Sequence, residues 1–141
     1  DVGRNFVAFR DFAHAPSKLR ATQASVVNQF PNRKVTAVFE LHTYSSLSKS
    51  FIPQYSEAMN EVDHAIVYFD PSVVQHKRLE ELSPEFVKDS FARDNLEVFT
   101  KTNDLTRRLS KVPSENHVLL MMSSGRFGGV IFNPAPHPAT S

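Results

Sequence analysis

Two residues with useful chemistry lie close together near the start of the chain, in the segment Asp11-Phe12-Ala13-His14-Ala15-Pro16. The Asp11 carboxylate can accept hydrogen bonds from ribose hydroxyls, and the His14 imidazole can approach a phosphate or a carboxylate. The segment follows the apolar run Phe6-Val7-Ala8-Phe9 and precedes a helical pattern. A turn that ends a strand and caps a helix would use the same residues, so both interpretations stay open.

A second segment, Ser123-Ser124-Gly125-Arg126-Phe127-Gly128-Gly129, offers hydroxyls and backbone N–H groups directly after an apolar run. Its glycines would let the backbone approach an anion closely. The spacing matches neither the phosphate loop, nor the dinucleotide fingerprint, nor the nucleophile elbow of hydrolases. Without further information, a plain turn explains this segment equally well.

The loop His42-Thr43-Tyr44-Ser45-Ser46 follows the most apolar run of the chain and could hydrogen-bond a peptide carboxylate, although polar loops are common at such positions. The histidines show neither H-x-H nor H-E-x-x-H spacing, so no metal site is predicted. His64 and His117 each precede an apolar run and are interpreted as structural.

These segments depend on alternating apolar and helical patterns for their placement. The patterns predict strands at residues 6–9, 35–41, 65–69, 96–99 and 118–122. They predict helices at 17–30, 51–62, 83–91 and 103–109, the last capped by Thr102 or Asn103, with an irregular segment at 72–82. Such alternation indicates an α/β fold, a three-layer Rossmann-like domain with a mostly parallel sheet. Ligands bind beyond the carboxyl ends of such strands, where all three polar segments fall.

Composition limits the possible functions. The 141 residues suit one domain, which we expect at 1–132, followed by a Pro-rich flexible tail at 133–141. Sixteen basic and fifteen acidic residues give a net charge of +1, which does not indicate nucleic-acid binding. There is no Cys and no apolar run long enough for a membrane span, and this composition is typical of a cytosolic domain. The first residue is not Met, so we expect a piece of a longer protein.

Three motifs together resemble one known family. Asp11 to Pro16 resembles the D-[YF]-[AG]-H-x-P motif that opens the C-terminal domain of Mur ligases, and Val38-Phe39-Glu40 resembles the V-F-E or V-F-Q signature of that domain. Met122 to Gly129 resembles the M-S-[SN]-G-x-F-G-G segment of the murein peptide ligase branch. The resemblance runs in the correct order from about residue 6 to residue 129.

The resemblance implies a domain of a bacterial cytoplasmic ligase for cell-wall recycling or synthesis. Such ligases use ATP and Mg²⁺ to convert the carboxylate of UDP-N-acetylmuramate into an acyl phosphate, which an amine then attacks. In this branch the amine is the murein tripeptide L-alanyl-γ-D-glutamyl-meso-diaminopimelate. The central and N-terminal domains of the family hold most of the ATP, the Mg²⁺ and the UDP-sugar. Because no G-K-[ST] occurs in this chain, we expect it to be inactive alone and to contain no catalytic residue.

By the same resemblance, Asp11 contacts the ATP ribose and His14 lies near the nucleotide. The residues expected to bind the amine substrate are His42, Thr43, Ser45, Ser123, Ser124, Gly125 and Phe127. Two departures from the family pattern affect these expectations. Ala15 replaces the second histidine of the common H-H-P version, and the loop after Glu40 differs from the P-R-S-N-T of the branch.

Three alternatives remain. The domain could belong to a UDP-N-acetylmuramate–L-alanine ligase, whose motifs more often read D-Y-G-H-x-P and V-F-Q-P-H. It could also be a stand-alone flavodoxin-like or receiver-like binding module, or a nucleotide-binding domain without a catalytic partner. A receiver needs an acidic pair after its first strand and an Asp after its third, and Asp70 is the one candidate for the latter.

Overall fold

The computed structural model describes residues 6–123 together with Gly125 and Phe127. The expectations for Ser124 and for the tail at 133–141 therefore lie outside the described residues. The strands are β1 (Phe6–Asp11), β2 (Lys34–Glu40), β3 (His64–Tyr68), β4 (Glu97–Phe99) and β5 (His117–Met122). The helices are α1 (Pro16–Gln29), α2 (Pro71–His76), α3 (Pro84–Phe91) and α4 (Thr102–Leu109), with a 3₁₀ helix at Ile52–Tyr55.

The five strands form one sheet in the order β1-β5-β2-β3-β4, and every neighbouring pair is parallel. This confirms the predicted α/β fold. All carboxyl ends consequently meet at one edge, and β5 places its end between those of β1 and β2. Within residues 6–123, no helix is long and apolar enough to cross a membrane.

Both faces of the sheet are covered, as the predicted three-layer arrangement requires. On one face the alternate strand residues pack against α1, α2, α3 and the 3₁₀ helix in the larger of two apolar cores. On the other face the intervening residues, among them Val38 and Leu119, pack against Leu105 and Leu109 of α4. Phe127 is fully buried in this second core, which fixes the end of the segment that follows β5.

Local sequence signals explain where several elements begin. Pro16 lies in the first turn of α1, where the missing N–H of proline has no intrahelical partner in any case. Ser83 caps α3 as predicted, because its hydroxyl accepts a hydrogen bond from the backbone N–H of Phe86 at 3.1 Å. The helices predicted at 17–30 and 83–91 are thus confirmed to within one residue.

The helix predicted over 51–62 is wrong. The structure has only the 3₁₀ helix there, followed by turns in which Glu57 adopts a left-handed φ of 62°. The apolar spacing was nevertheless informative, because Tyr55, Ala58, Met59 and Val62 are all buried. A chain of turns can bury the same side as a helix, and periodicity alone does not distinguish the two.

Two smaller predictions also need correction. The segment 72–82 is not wholly irregular, because α2 begins at Pro71. The helix forms because the Asp70 side chain accepts a hydrogen bond from the N–H of Ser72 at 2.9 Å. Neither Thr102 nor Asn103 caps α4: the helix starts at Thr102, and Lys101 occupies the cap position without a side-chain bond.

Candidate functional site

The carboxyl edge of β1, β5 and β2 brings together the three polar segments singled out in the sequence. The backbone N–H of Ser123 donates to the carbonyl oxygen of Asp11 at 2.9 Å, which ties the end of β5 to the end of β1. A cavity of about 80 Å³ lies at this junction. It is lined by Arg10, Asp11, Phe12, Met121, Ser123, Gly125 and Phe127.

The centre of this edge is the carboxylate of Glu40, the last residue of β2, which is only 4% exposed. Its Oε1 atom accepts a hydrogen bond from the Ser123 hydroxyl at 2.5 Å and another from the Phe127 backbone N–H at 2.8 Å. The Ser123 hydroxyl in turn accepts the N–H of Gly125 at 2.7 Å. A buried carboxylate requires such donors, because burying an unpaired charge is costly.

His42 completes this group. Its Nδ1 atom lies 3.7 Å from Oε2 of Glu40, and the side chain is 41% exposed. Gly125 packs tightly on both side chains: a Cβ at Gly125 would come within 2.8 Å of the His42 ring and 3.0 Å of Glu40 Oε1. Close approach, and not a left-handed φ, therefore requires glycine at this position. We call Glu40, His42, Ser123, Gly125 and Phe127 the Glu40 cluster.

The segment after β1 forms a turn in which Ala13 is buried, whereas Asp11, Phe12 and His14 are exposed. The Asp11 carboxylate accepts the N–H of Ala13 at 2.8 Å, and Nδ1 of His14 lies 3.1 Å from the carbonyl oxygen of Phe12. Because a carbonyl can only accept, Nδ1 must carry the hydrogen in this contact. The hydroxyl of Tyr55 donates to the carbonyl oxygen of His14 and anchors the turn from below.

The loop after β2 is held by its own hydroxyl groups. The Thr43 hydroxyl accepts the N–H of Ser46 at 3.1 Å and donates to the Ser46 hydroxyl at 3.0 Å. Ser46 is fully buried, whereas Ser45 is exposed. Thr43 thus closes a turn that presents Tyr44 and Ser45 at the surface.

The charge of Glu40 affects the pKa of a neighbouring tyrosine, Tyr68. Tyr68 lies opposite Glu40 in the register of β2 and β3 and is buried. Burial raises the pKa of Tyr68, and the negative charges of Asp70 and Glu40 raise it further. The phenol therefore stays neutral beside the buried carboxylate at physiological pH.

Four of the predicted site residues, Asp11, Ser123, Gly125 and Phe127, line the cavity, whereas His42 lies outside this lining and packs against Gly125. His14, Thr43 and Ser45 do not line the cavity, and Ser124 lies outside the described residues. No site role was predicted for Glu40, Arg10 or Tyr55. A single acidic residue directly after the apolar run Ala37-Val38-Phe39 was the available signal for Glu40.

Comparison with known proteins decides the family. The family model "Mur ligase, glutamate ligase domain" matches residues 2–125, which is most of the chain. The chain belongs to the Mur ligase family. This Mur ligase domain is 26% identical over 124 residues to a UDP-N-acetylmuramate–L-alanine ligase of Brachyspira hyodysenteriae, a match that covers 86% of the chain and 26% of the relative. It thus spans about a quarter of the length of that relative.

Two solved structures share its fold. The murein peptide ligase of Psychrobacter arcticus superposes with a TM-score of 0.70 at 18% identity, over 92% of this chain and 26% of that one. The UDP-N-acetylmuramate-alanine ligase of Thermotoga maritima superposes with a TM-score of 0.66 at 20% identity, over the same shares. These likenesses confirm the Rossmann-like architecture of the Mur ligase C-terminal domain predicted from the sequence.

Proposed function

We propose that this Mur ligase domain binds the amine substrate in an ATP-dependent ligase that joins UDP-N-acetylmuramate to the murein tripeptide. The observation that carries the proposal is the meeting of three motif-bearing segments at one edge of the sheet. Asp11, Glu40 and Ser123 end or follow three adjacent strands, and hydrogen bonds join all three segments. The domain contributes position to the reaction, which lowers the entropic cost of bringing the reactants together.

Asp11 and His14 are the proposed nucleotide contacts. Among the described residues, only the N–H of Ala13 bonds to the Asp11 carboxylate, through Oδ1. The second oxygen can accept a ribose hydroxyl without disturbing that turn. Both Asp11 and His14 are exposed at the edge where a nucleotide would arrive.

The amine substrate is proposed to contact His42, Ser45 and the segment from Ser123 to Phe127, with Thr43 shaping the loop. In this structure the Ser123 hydroxyl and the Phe127 N–H donate to Glu40, so these two groups support the cavity wall from inside. Direct contact of these groups, and of Ser124, with a substrate carboxylate stays a prediction.

The rest of the enzyme is proposed to cover this edge. Among the described residues, Phe12 and Tyr44 are the large apolar side chains classed as exposed, at 80% and 62%, and both lie in loops at the carboxyl edge. Mg²⁺ is proposed to be held mainly by the central domain, as the family resemblance implies. The complete enzyme would act in the bacterial cytoplasm on UDP-N-acetylmuramate.

A second candidate is the joining of UDP-N-acetylmuramate to L-alanine. Two sequence relatives that cover most of the chain are named UDP-N-acetylmuramate–L-alanine ligases, at 26% and 27% identity. The V-F-E form at Val38 to Glu40 and the glycine segment after Met122 favour the peptide ligase.

The reaction class is tested by phosphate release from ATP. The complete enzyme that contains this domain is assayed with ATP, UDP-N-acetylmuramate and tripeptide, and then with each substrate omitted in turn. We expect sustained release only when all three are present, and none from the 141-residue chain alone, because it has no phosphate loop. Turnover of ATP by the isolated chain, or by the enzyme without an amine, would contradict the proposal.

A further inference from the structure

Glu40 is an acidic residue at a buried position, where a charge is costly unless hydrogen bonds satisfy it. It closes a strand in which the five preceding residues are buried, and its own side chain is buried. Two donors satisfy one oxygen, and both come from the segment after β5, more than eighty residues away in sequence. Charge-assisted hydrogen bonds of this kind are roughly twice as strong as neutral ones.

The bond from Phe127 to Glu40 fixes a residue whose backbone conformation is unfavourable by itself. Phe127 has a left-handed φ of 53°, which is unfavourable for a residue with a Cβ and a bulky side chain. Such backbone persists only where its surroundings impose it. Here the N–H of Phe127 is bound to Glu40 and its ring is buried in the second core.

The same bonds determine which groups line the cavity. The N–H of Gly125 donates to the Ser123 hydroxyl, and that hydroxyl donates to Oε1 of Glu40. This chain of hydrogen bonds ends on the buried carboxylate. Gly125 packs directly over Oε1 and against the His42 ring. A substrate at the cavity would meet the outer side of this segment, and Glu40 would lie behind it.

We propose that Glu40 is a positioning residue for the amine substrate: its buried carboxylate sets the conformation of Ser123, Gly125 and Phe127, and through them the wall of the cavity beside Asp11. The inference rests on the proposed function, since it assigns the amine substrate to this wall. Glu40 acts through Ser123, Gly125 and Phe127, and it takes no proton from the substrate.

The kinetic test uses Glu40→Gln and Glu40→Leu in the complete enzyme. Gln keeps an oxygen acceptor of the same shape, so KM for the amine should stay within about threefold of the wild-type value. Leu removes the acceptor for two donors, so KM for the amine should rise about tenfold or more, while KM for UDP-N-acetylmuramate stays unchanged. Glu97→Gln, which removes the β4 carboxylate that pairs with Arg108 of α4, is the matched control and should change neither KM.

The proposal is overturned if Glu40→Leu leaves KM for the amine unchanged, raises both KM values equally, or if Gln performs no better than Leu. If the Leu variant does not fold, Ser123→Ala replaces it, because this change deletes one of the two donors and leaves Glu40 in place. Its KM for the amine should then rise by a smaller factor, and an unchanged value would count against the proposal.

A second readout does not depend on ligation. Hydrogen exchange measured by NMR on the 141-residue chain should show a protected Phe127 amide in the wild type and in Glu40→Gln, and loss of that protection in Glu40→Leu. Retained protection in a folded Leu variant overturns the positioning role. If the exchange result is as expected but the complete enzyme ligates no amine, Glu40 still sets the loop conformation and the proposed function is what fails.

Discussion

The hydroxyl of Tyr55 donates a hydrogen bond to the backbone carbonyl oxygen of His14. Tyr55 is fully buried and stacks on Phe91 with ring centroids 5.3 Å apart and planes only 6° from parallel. The ring also packs against Phe39 of β2 at 5.2 Å. The Tyr55 hydroxyl, whose ring is held in an aromatic stack, thus supports the turn proposed to contact the nucleotide.

Tyr55→Phe should therefore weaken both stability and nucleotide binding. The ring remains, but the backbone carbonyl of His14 loses its donor, which costs about 1 kcal/mol of unfolding free energy. The loosened turn should raise KM for ATP in the complete enzyme by a few-fold. Urea denaturation and ATP kinetics measure the two effects. Tyr44→Phe, at an exposed tyrosine, serves as the stability control and should change the unfolding free energy by less than about 0.5 kcal/mol. Equal losses in both variants would contradict the assigned bond.

Asp11→Asn separates a nucleotide contact from a turn-forming role. The amide oxygen of Asn can still accept the N–H of Ala13, so the turn and the melting temperature should be preserved. The charge and the second acceptor are lost, so KM for ATP should rise about tenfold to a hundredfold in the complete enzyme. An unchanged KM for ATP would show that Asp11 serves only the turn.

Gly125→Ala should destabilise the domain because the new methyl group has no space. It would lie 2.8 Å from the His42 ring, and overpacking of this kind costs about 1–3 kcal/mol. In a His42→Ala background the same change should cost about 1 kcal/mol less, since the ring is gone. A double-mutant cycle in urea measures the difference. Strictly additive costs would show that Gly125 and His42 do not press on one another.

His117 should make the domain lose stability in mild acid. It is buried and hydrogen-bonded to Thr36 at 2.7 Å, and burial lowers its pKa to about 4, with a smaller contribution from His64. The positive charges of Arg108 and Lys34 lower the pKa further, whereas Asp63 opposes the shift.

Because the folded pKa lies below the unfolded value, the unfolded state binds more protons between about pH 6.5 and pH 4. The contribution of His117 is therefore complete above pH 6.5 and falls by roughly 3 kcal/mol as the pH drops to 4. Unfolding free energies at pH 7 and pH 4 measure this loss. His117→Gln, which can still bond to Thr36, should lose about that much less over the same interval. Equal losses would rule out His117 as the cause.

The sequence predicted most of the fold because its signals were local. Apolar runs marked the buried strands. Ser83-Pro84 marked the start of α3, because the capping hydrogen bond joins residues only three positions apart. The failure at 51–62 arose because Pro53 and the left-handed Glu57 break a segment whose apolar spacing still resembles a helix.

The site was less predictable for the opposite reason. Motif resemblance identified Asp11, His42 and the segment from Ser123, but the bonds that join them span the whole chain. Glu40 meets Ser123 and Phe127 across 83 and 87 residues, and Tyr55 meets His14 across 41. Only the order of the strands makes these residues neighbours, so no local pattern showed that a buried carboxylate organises the edge.

The most direct test of the account is a competition between the two candidate amines. The complete enzyme is given ATP, Mg²⁺, UDP-N-acetylmuramate and equal concentrations of L-alanine and L-alanyl-γ-D-glutamyl-meso-diaminopimelate, and the products are separated by mass spectrometry. The account predicts that the tripeptide adduct of UDP-N-acetylmuramate predominates. Predominance of the L-alanine adduct, or the absence of any amide product, would contradict it.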